Sequence, residues 1–175
     1  MKQKLARIDV RHRPICRTQG VLTVGGVAYP CVLGRSGIVV AKREGDGGTP
    51  RGKLPLRALF QRPDRGPRLP SLLPVRSIRP DLAWCDDEAD RRYNRLIRRP
   101  SGEAEERLWR QDRLYDVIVP LGWNDGPVVK GRGSAIFWHL CRPSKSPTAG
   151  CVAVEAAVFR KVLPRLGKHA VLRVW

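Results

Sequence analysis

His139 and Cys151 are the residues of this 175-residue chain best suited to covalent chemistry. They stand in Gly133-Ser134-Ala135-Ile136-Phe137-Trp138-His139-Leu140 and, after Arg142 to Pro147, in Thr148-Ala149-Gly150-Cys151-Val152-Ala153. A thiol attacks as its thiolate, and a neighbouring imidazole lowers the thiol pKa and holds the ion pair. Strand alternation puts Ile136, Trp138 and Leu140 on one face and Phe137, His139 and Cys141 on the other. The imidazole therefore points away from the more apolar face, and it is expected to share a hairpin-like unit with the thiol. Cys151 also precedes a helix expected from Glu155, whose positive N-terminal end favours a thiolate. Gly150 permits close approach to a substrate carbonyl, and the amides around Gly150 and Cys151 are candidates for an oxyanion hole. No Asp or Glu adjoins His139, so a backbone carbonyl such as that of Leu140 is the expected orienting group.

Plainer readings compete. Cysteine is among the most buried residue types, and a single strand histidine is often structural. A metal site from His139, Cys141 and Cys151 lacks an evident fourth ligand, and no metal is expected. The five cysteines, at 16, 31, 85, 141 and 151, form no C-x-x-C pair and are odd in number. No cofactor is expected either. Gly47 to Lys53 spells G-x-x-x-x-G-K, but Leu54 follows in place of a magnesium-binding hydroxyl, and Pro50 and Pro55 prevent the helix that a phosphate loop opens. Gly131-Arg132-Gly133 fails the dinucleotide pattern because Ile136 holds the third glycine position.

The elements that must position these groups read as mostly β. Short strands are expected at Ile8 and Val10, Val21 to Val24, Val27 to Leu33 and Ile38 to Val40, broken by Gly20, Gly25-Gly26 and Gly34 and paired as a meander. Further strands are expected at Leu54 to Phe60, Val117 to Leu121, Ala135 to Leu140 and Ala170 to Trp175, with an amphipathic helix over Glu155 to Leu166 that Pro164 kinks or ends. Asp86 to Arg92 is helix-compatible, and Ser101 is a candidate cap for a helix whose first turn holds Glu103, Glu105 and Glu106. Five prolines between Arg62 and Pro80 make that segment an extended excursion over the surface. A single domain with one core suits this length.

The balance of 34 basic against 16 acidic residues gives +18. An anionic partner fits, yet the charge is scattered, 26 of the 34 are arginine, and no zinc-finger or RNA-binding signature accompanies it. Specific nucleic-acid binding is not expected. No stretch is apolar enough for a transmembrane helix, and Met1 to Val10 has no apolar core of an export signal.

The segment around Cys151 resembles the L,D-transpeptidase catalytic domain (the YkuD-like family), whose signature is a strand histidine, a spacer, then Ser or Thr, His, Gly, Cys. His139 matches the upstream histidine, Thr148 the hydroxyl residue, Gly150 the glycine and Cys151 the nucleophile. Gly48-Thr49-Pro50-Arg51-Gly52-Lys53-Leu54 is similar to the family's T-P-x-G-x-F stretch, with Leu54 for the aromatic, and the likeness runs from about Ala6 to Trp175. Ala149 stands where the family has its second histidine, Val152-Ala153 replaces Ile-Arg, and the twelve-residue interval from His139 to Cys151 is short, which marks a divergent branch.

The resemblance implies an α+β, mostly β, sandwich-like catalytic domain with a few helices. It implies acyl transfer between peptidoglycan stem peptides: Cys151 as nucleophile, His139 as base then acid, and local backbone at Ala149 and Gly150 around the oxyanion. The donor and acceptor stems are the expected partners. Transfer to a diaminopimelate amine makes a crosslink in the cell envelope; transfer to water makes an L,D-carboxypeptidase, which would suit cytoplasmic recycling. With the family's arginine missing, Arg132, Arg142 and Lys145 are candidates for a carboxylate clamp, and Thr148 is expected to touch substrate. Residues 62–94 are expected to cap the cleft, with Trp84, Arg92, Tyr93 and Asn94 against the substrate; the alternative puts Trp84 and Tyr93 in the core.

Overall fold

The computed structural model describes residues 4–98 and 105–175. Alternating apolar residues near the N-terminus form β1 (Leu5–Arg13), β2 (Cys16–Val24) and β3 (Val27–Val32), an antiparallel meander. Its second turn is Gly25-Gly26 with φ of 55° and 78°, the left-handed pair that a tight hairpin with right-handed strand twist requires. β4 (Ile38–Val39) and β5 (Thr49–Pro50) pair in parallel, and β6 (Gly52–Pro55), β7 (Leu59–Gln61) and β8 (Val75–Ser77) follow. Next come β9 (Leu82–Cys85), β10 (Leu96–Arg98) and β11 (Glu105–Arg107), then β12 (Val117–Pro120), β13 (Phe137–Leu140) and β14 (Val152–Val154). Helix α1 (Ala156–Val162), a 3-10 turn at Leu163–Arg165 and β15 (Leu166–Val174) close the chain. The fold is mostly β, as expected.

Ten strands make the main sheet in the order β6-β15-β1-β2-β3-β14-β13-β12-β7-β8, and β10-β9-β11 make a separate three-stranded sheet. β13 is buried on both faces, and all of its residues but His139 are apolar. On one face Trp138 joins the larger core and stacks on Phe159 of α1, ring centroids 4.2 Å apart. On the other, Phe137 and Cys151 join a second core with Phe60, Ile78, Leu82 and Tyr115. The three-stranded sheet covers that second face, where the Trp84 ring meets Phe137 edge-on at 5.2 Å.

Several expectations are corrected. β13 and β14 run parallel, so they are no hairpin; the connection from Cys141 to Cys151 is long enough to carry the chain back to the start of its neighbour. The helix stops at Val162, because Pro164 can neither donate nor accommodate the preceding turn, and Leu166 already begins β15. Asp86 to Arg92 forms turns, in which the Asp87 and Asp90 carboxylates accept from Ala89 N at 2.8 Å and Arg92 N at 2.6 Å and so compete with helix. Glu105 and Glu106 lie in β11, while Ser101 and Glu103 fall outside the described residues. The strand expected over Leu54 to Phe60 divides into β6 and β7, and the proline-rich excursion contributes β8 in parallel with β7.

Candidate active site

Cys151 sits immediately before β14, opposite Phe137 of β13. The register pairs Trp138 with Val152 and His139 with Ala153, so Phe137, His139, Cys151 and Ala153 share one face of two adjacent parallel strands. His139 and Cys151 line one cavity of about 390 Å3. The Cys151 thiol donates to Ala135 O at 3.3 Å, and its sulfur accepts from the Phe137 N–H at 3.4 Å. Burial pushes the thiol up to about 12; the Phe137 N–H and the Lys42 charge act against that rise, and Glu106 adds to it. Cys151 therefore rests as a neutral thiol. The expected help from a helix end is absent, since β14 separates Cys151 from a seven-residue helix.

His139 is equally buried. Its Nδ1 lies 2.8 Å from Leu140 O, and because a carbonyl only accepts, Nδ1 carries the proton and Nε2 is the free base. Burial pulls this imidazole down to about 4, against the Leu140 bond, and the nearby Arg110 and Arg142 charges add to the effect. Tyr115 packs edge-on against both His139 (5.2 Å) and Phe137 (5.9 Å), walling the imidazole from one side.

The turn holding Cys151 is fixed from beneath. Thr148 Oγ1 donates to Cys151 O at 2.7 Å and accepts from Gly150 N at 3.1 Å. Both capacities of that hydroxyl are thus used inside the loop, and the Gly150 amide is engaged rather than open to an oxyanion. Thr49 Oγ1, fully buried, accepts from Gly34 N at 2.9 Å and reaches Cys151 O at 3.5 Å, which ties the Thr49-Pro50 stretch to Cys151. Gly150 has φ +140°, and a Cβ there would meet Gly48 O at 2.8 Å. Ala149 lines the cavity beside it.

Asn94 organises the far wall. Its Oδ1 accepts from Trp84 Nε1 at 2.9 Å and from Ala135 N at 3.2 Å, and its Nδ2 donates to Trp123 O at 3.1 Å and Asn124 O at 2.7 Å. Ala135, whose carbonyl receives the Cys151 thiol, is thereby held through its own N–H by a buried side chain 41 residues away.

The residues expected to touch substrate fall in different surroundings. Trp84 is part of the second core, its indole N–H occupied by Asn94, and Tyr93 is buried with its hydroxyl donating to the Glu44 carboxylate. Arg92 pairs with Asp90 at 2.6 Å and Glu105 at 3.6 Å, and Arg132 is exposed outside the cavity wall. Lys145 pairs with Glu155 at 3.0 Å and also lies outside it. Arg142 does line the cavity, 3.5 Å from Asp112. From residues 62–94 only Asp86 lines it. Tyr115, Arg110, Glu106, Asp86, Lys42 and Ser134 line it too and escaped sequence reasoning, because only tertiary pairing brings them there. Burial, with Glu106 and Glu44 close by, pushes the Asp86 carboxyl up.

Among the described residues no cluster of three or more His, Cys, Asp or Glu is arranged to hold a metal ion, and no helix is long and apolar enough to cross a membrane. A family model for the L,D-transpeptidase catalytic domain, YkuD, matches residues 15–171. No curated protein and no solved structure matches the chain.

Proposed function

Since the chain belongs to the L,D-transpeptidase catalytic domain family, we propose that it crosslinks peptidoglycan stem peptides at the cell envelope through a thioester on Cys151. The observation that carries this reading is the shared face of β13 and β14, which puts a hydrogen-bonded thiol and a neutral imidazole in one cavity. With the thiol near 12 and the imidazole near 4, no ion pair exists before substrate arrives. Proton transfer from Cys151 to His139 Nε2 then accompanies formation of the bond from sulfur to the donor's L-centre carbonyl.

The Phe137 N–H is already aimed at the sulfur and stabilises the charge that develops there. With the Gly150 amide engaged, the Cys151 amide is the donor left for the oxyanion. His139 returns the proton to the departing amine, which leaves the thioester. An acceptor amine next attacks the thioester carbonyl, the C–S bond breaks, and the proton that the amine loses passes through His139 to the thiolate. Arg142 and Arg110 offer positive charge to donor carboxylates, and the net +18 charge steers anionic material toward the molecule.

Incubation with tri-, tetra- and pentapeptide muropeptides, followed by mass spectrometry beside Cys151→Ala, tests the reading. Crosslinked dimers that vanish in the variant support it and name the donor. Shortened monomers alone would make the protein an L,D-carboxypeptidase, and no Cys151-dependent product would end the cell-wall assignment.

A further inference from the structure

We propose that the acidic wall of the Cys151 cavity, built by Asp86, Glu106 and Glu44 with Ser134, is an ammonium subsite that receives the acceptor's amine. The inference rests on the acyl-transfer reading above and names the groups that choose the acceptor. Glu106 pairs with Trp84 across β11 and β9, Asp86 follows the end of β9, and the charges of Glu106 and Glu44 are near enough to act on the Asp86 carboxyl. Glu44 comes from the loop between β4 and β5, and all three carboxylates line the cavity that holds Cys151.

Ser134 is the independent observation. It is 6% exposed, it lines the same cavity, and its Oγ makes no well-formed hydrogen bond, the Tyr93 hydroxyl being close by; Asp86 Oδ1 is also buried without one. Buried oxygens of this kind are normally satisfied, so this wall is fitted to a donor from outside the chain. An ammonium group brings three donors and a positive charge. The cations at hand are engaged elsewhere or only in part: Lys42 Nζ lies 2.5 Å from Asp46 and 2.8 Å from Arg43 O, and Arg110 shares itself between Glu106 at 3.0 Å and Asp112 at 2.6 Å. Glu44 accepts from the Tyr93 hydroxyl and from Gly45 N, and among the described residues neither Glu44 nor Asp86 has an ion-pair partner.

The wall also completes the chemistry. A bound ammonium gives one proton to the Asp86 carboxylate and becomes a free amine. That amine attacks the thioester carbonyl, the C–N bond forms as the C–S bond breaks, and its second proton passes through His139 to the Cys151 sulfur. Asp86 then loses its proton to solvent.

The test is binding to Cys151→Ala protein, which is silent on acyl transfer and so separates this inference from the assigned reaction. Calorimetric titration compares 2,6-diaminopimelate with 2-aminopimelate, which keeps both carboxylates and lacks one amine. The expected result is at least tenfold tighter binding of the diamine, a preference lost on adding Asp86→Asn and reduced by the smaller change Ser134→Ala, with folding checked by circular dichroism. Absence of any preference, whether both compounds bind equally or neither binds, overturns the subsite, as does a preference that survives both substitutions.

Discussion

The sulfur of Cys151 lies 3.4 Å from the backbone nitrogen of Phe137, on the strand that two residues later presents His139. The site is thus prepared for a thiolate while burial keeps the thiol protonated. Alkylation reports this directly. Cys16 is half-buried and its thiol is held below the ordinary value, chiefly by its hydrogen bond to Thr18, whereas Cys151 is fully buried and pushed up to about 12. Peptide mapping after iodoacetamide treatment at about pH 7 is expected to show Cys16 modified at least about tenfold faster than Cys151, since only the thiolate reacts. Faster labelling of Cys151 would mean a preformed ion pair.

The buried imidazole makes a pH prediction with a definite sign. His139 sits near 4 in the fold against an ordinary 6.5, so its base form persists to low pH and activity should hold through about pH 5.5, with no inflection near 6.5. Stability moves with it. Between 6.5 and about 4 the unfolded chain binds the proton and the folded one does not, so stability rises with pH across that window and falls on acidification, by on the order of 3 kcal/mol for this group. Thermal melts of the native chain and His139→Gln at pH 4.5 and 7 check it: the variant should lose part of the acid sensitivity.

Gly150 is irreplaceable for two reasons that act together, its φ of +140° and the Gly48 carbonyl 2.8 Å from any added Cβ. Gly150→Ala is expected to cost on the order of 2 kcal/mol in stability through backbone strain. It should also lower kcat by at least tenfold by displacing Cys151, read by melts and by turnover of the same preparation.

Asn94 is a positioning residue, since it holds the N–H of Ala135, the residue whose carbonyl receives the thiol. Asn94→Ala leaves Trp84 Nε1 and the Ala135 amide without their acceptor, at about 1 to 3 kcal/mol for each buried orphan. Reduced stability should be accompanied by a red shift in tryptophan fluorescence and faster Cys151 alkylation, two changes that simple loss of packing elsewhere would not link.

Much of the fold was legible because it rests on local rules. Gly25-Gly26 marked a tight turn, the Ile8 and Val10 alternation marked a half-buried strand, and Pro164 marked a helix end. The strand face carrying Phe137 and His139 followed from period two and agrees with the two cores on either side of β13. What failed was non-local. The parallel pairing of β13 with β14 depends on where the Cys141–Cys151 connection returns, and no residue in it announces a direction. Glu105 and Glu106 look like a helix start until β9 offers them a ladder. For Trp84 and Tyr93 the sequence left both a substrate-side and a core placement open, and the partners of their polar tips, Asn94 and Glu44, stand 10 and 49 residues away, beyond any local signal.

Intact-protein mass spectrometry of the chain mixed with a stem tetrapeptide, quenched within seconds in acid, tests the central claim most directly. The account predicts a mass gain equal to the donor acyl group, mapped to Cys151, released by hydroxylamine, absent from Cys151→Ala and formed more slowly by His139→Gln. No adduct in the native chain under conditions of turnover, or an adduct that persists in Cys151→Ala, would contradict it.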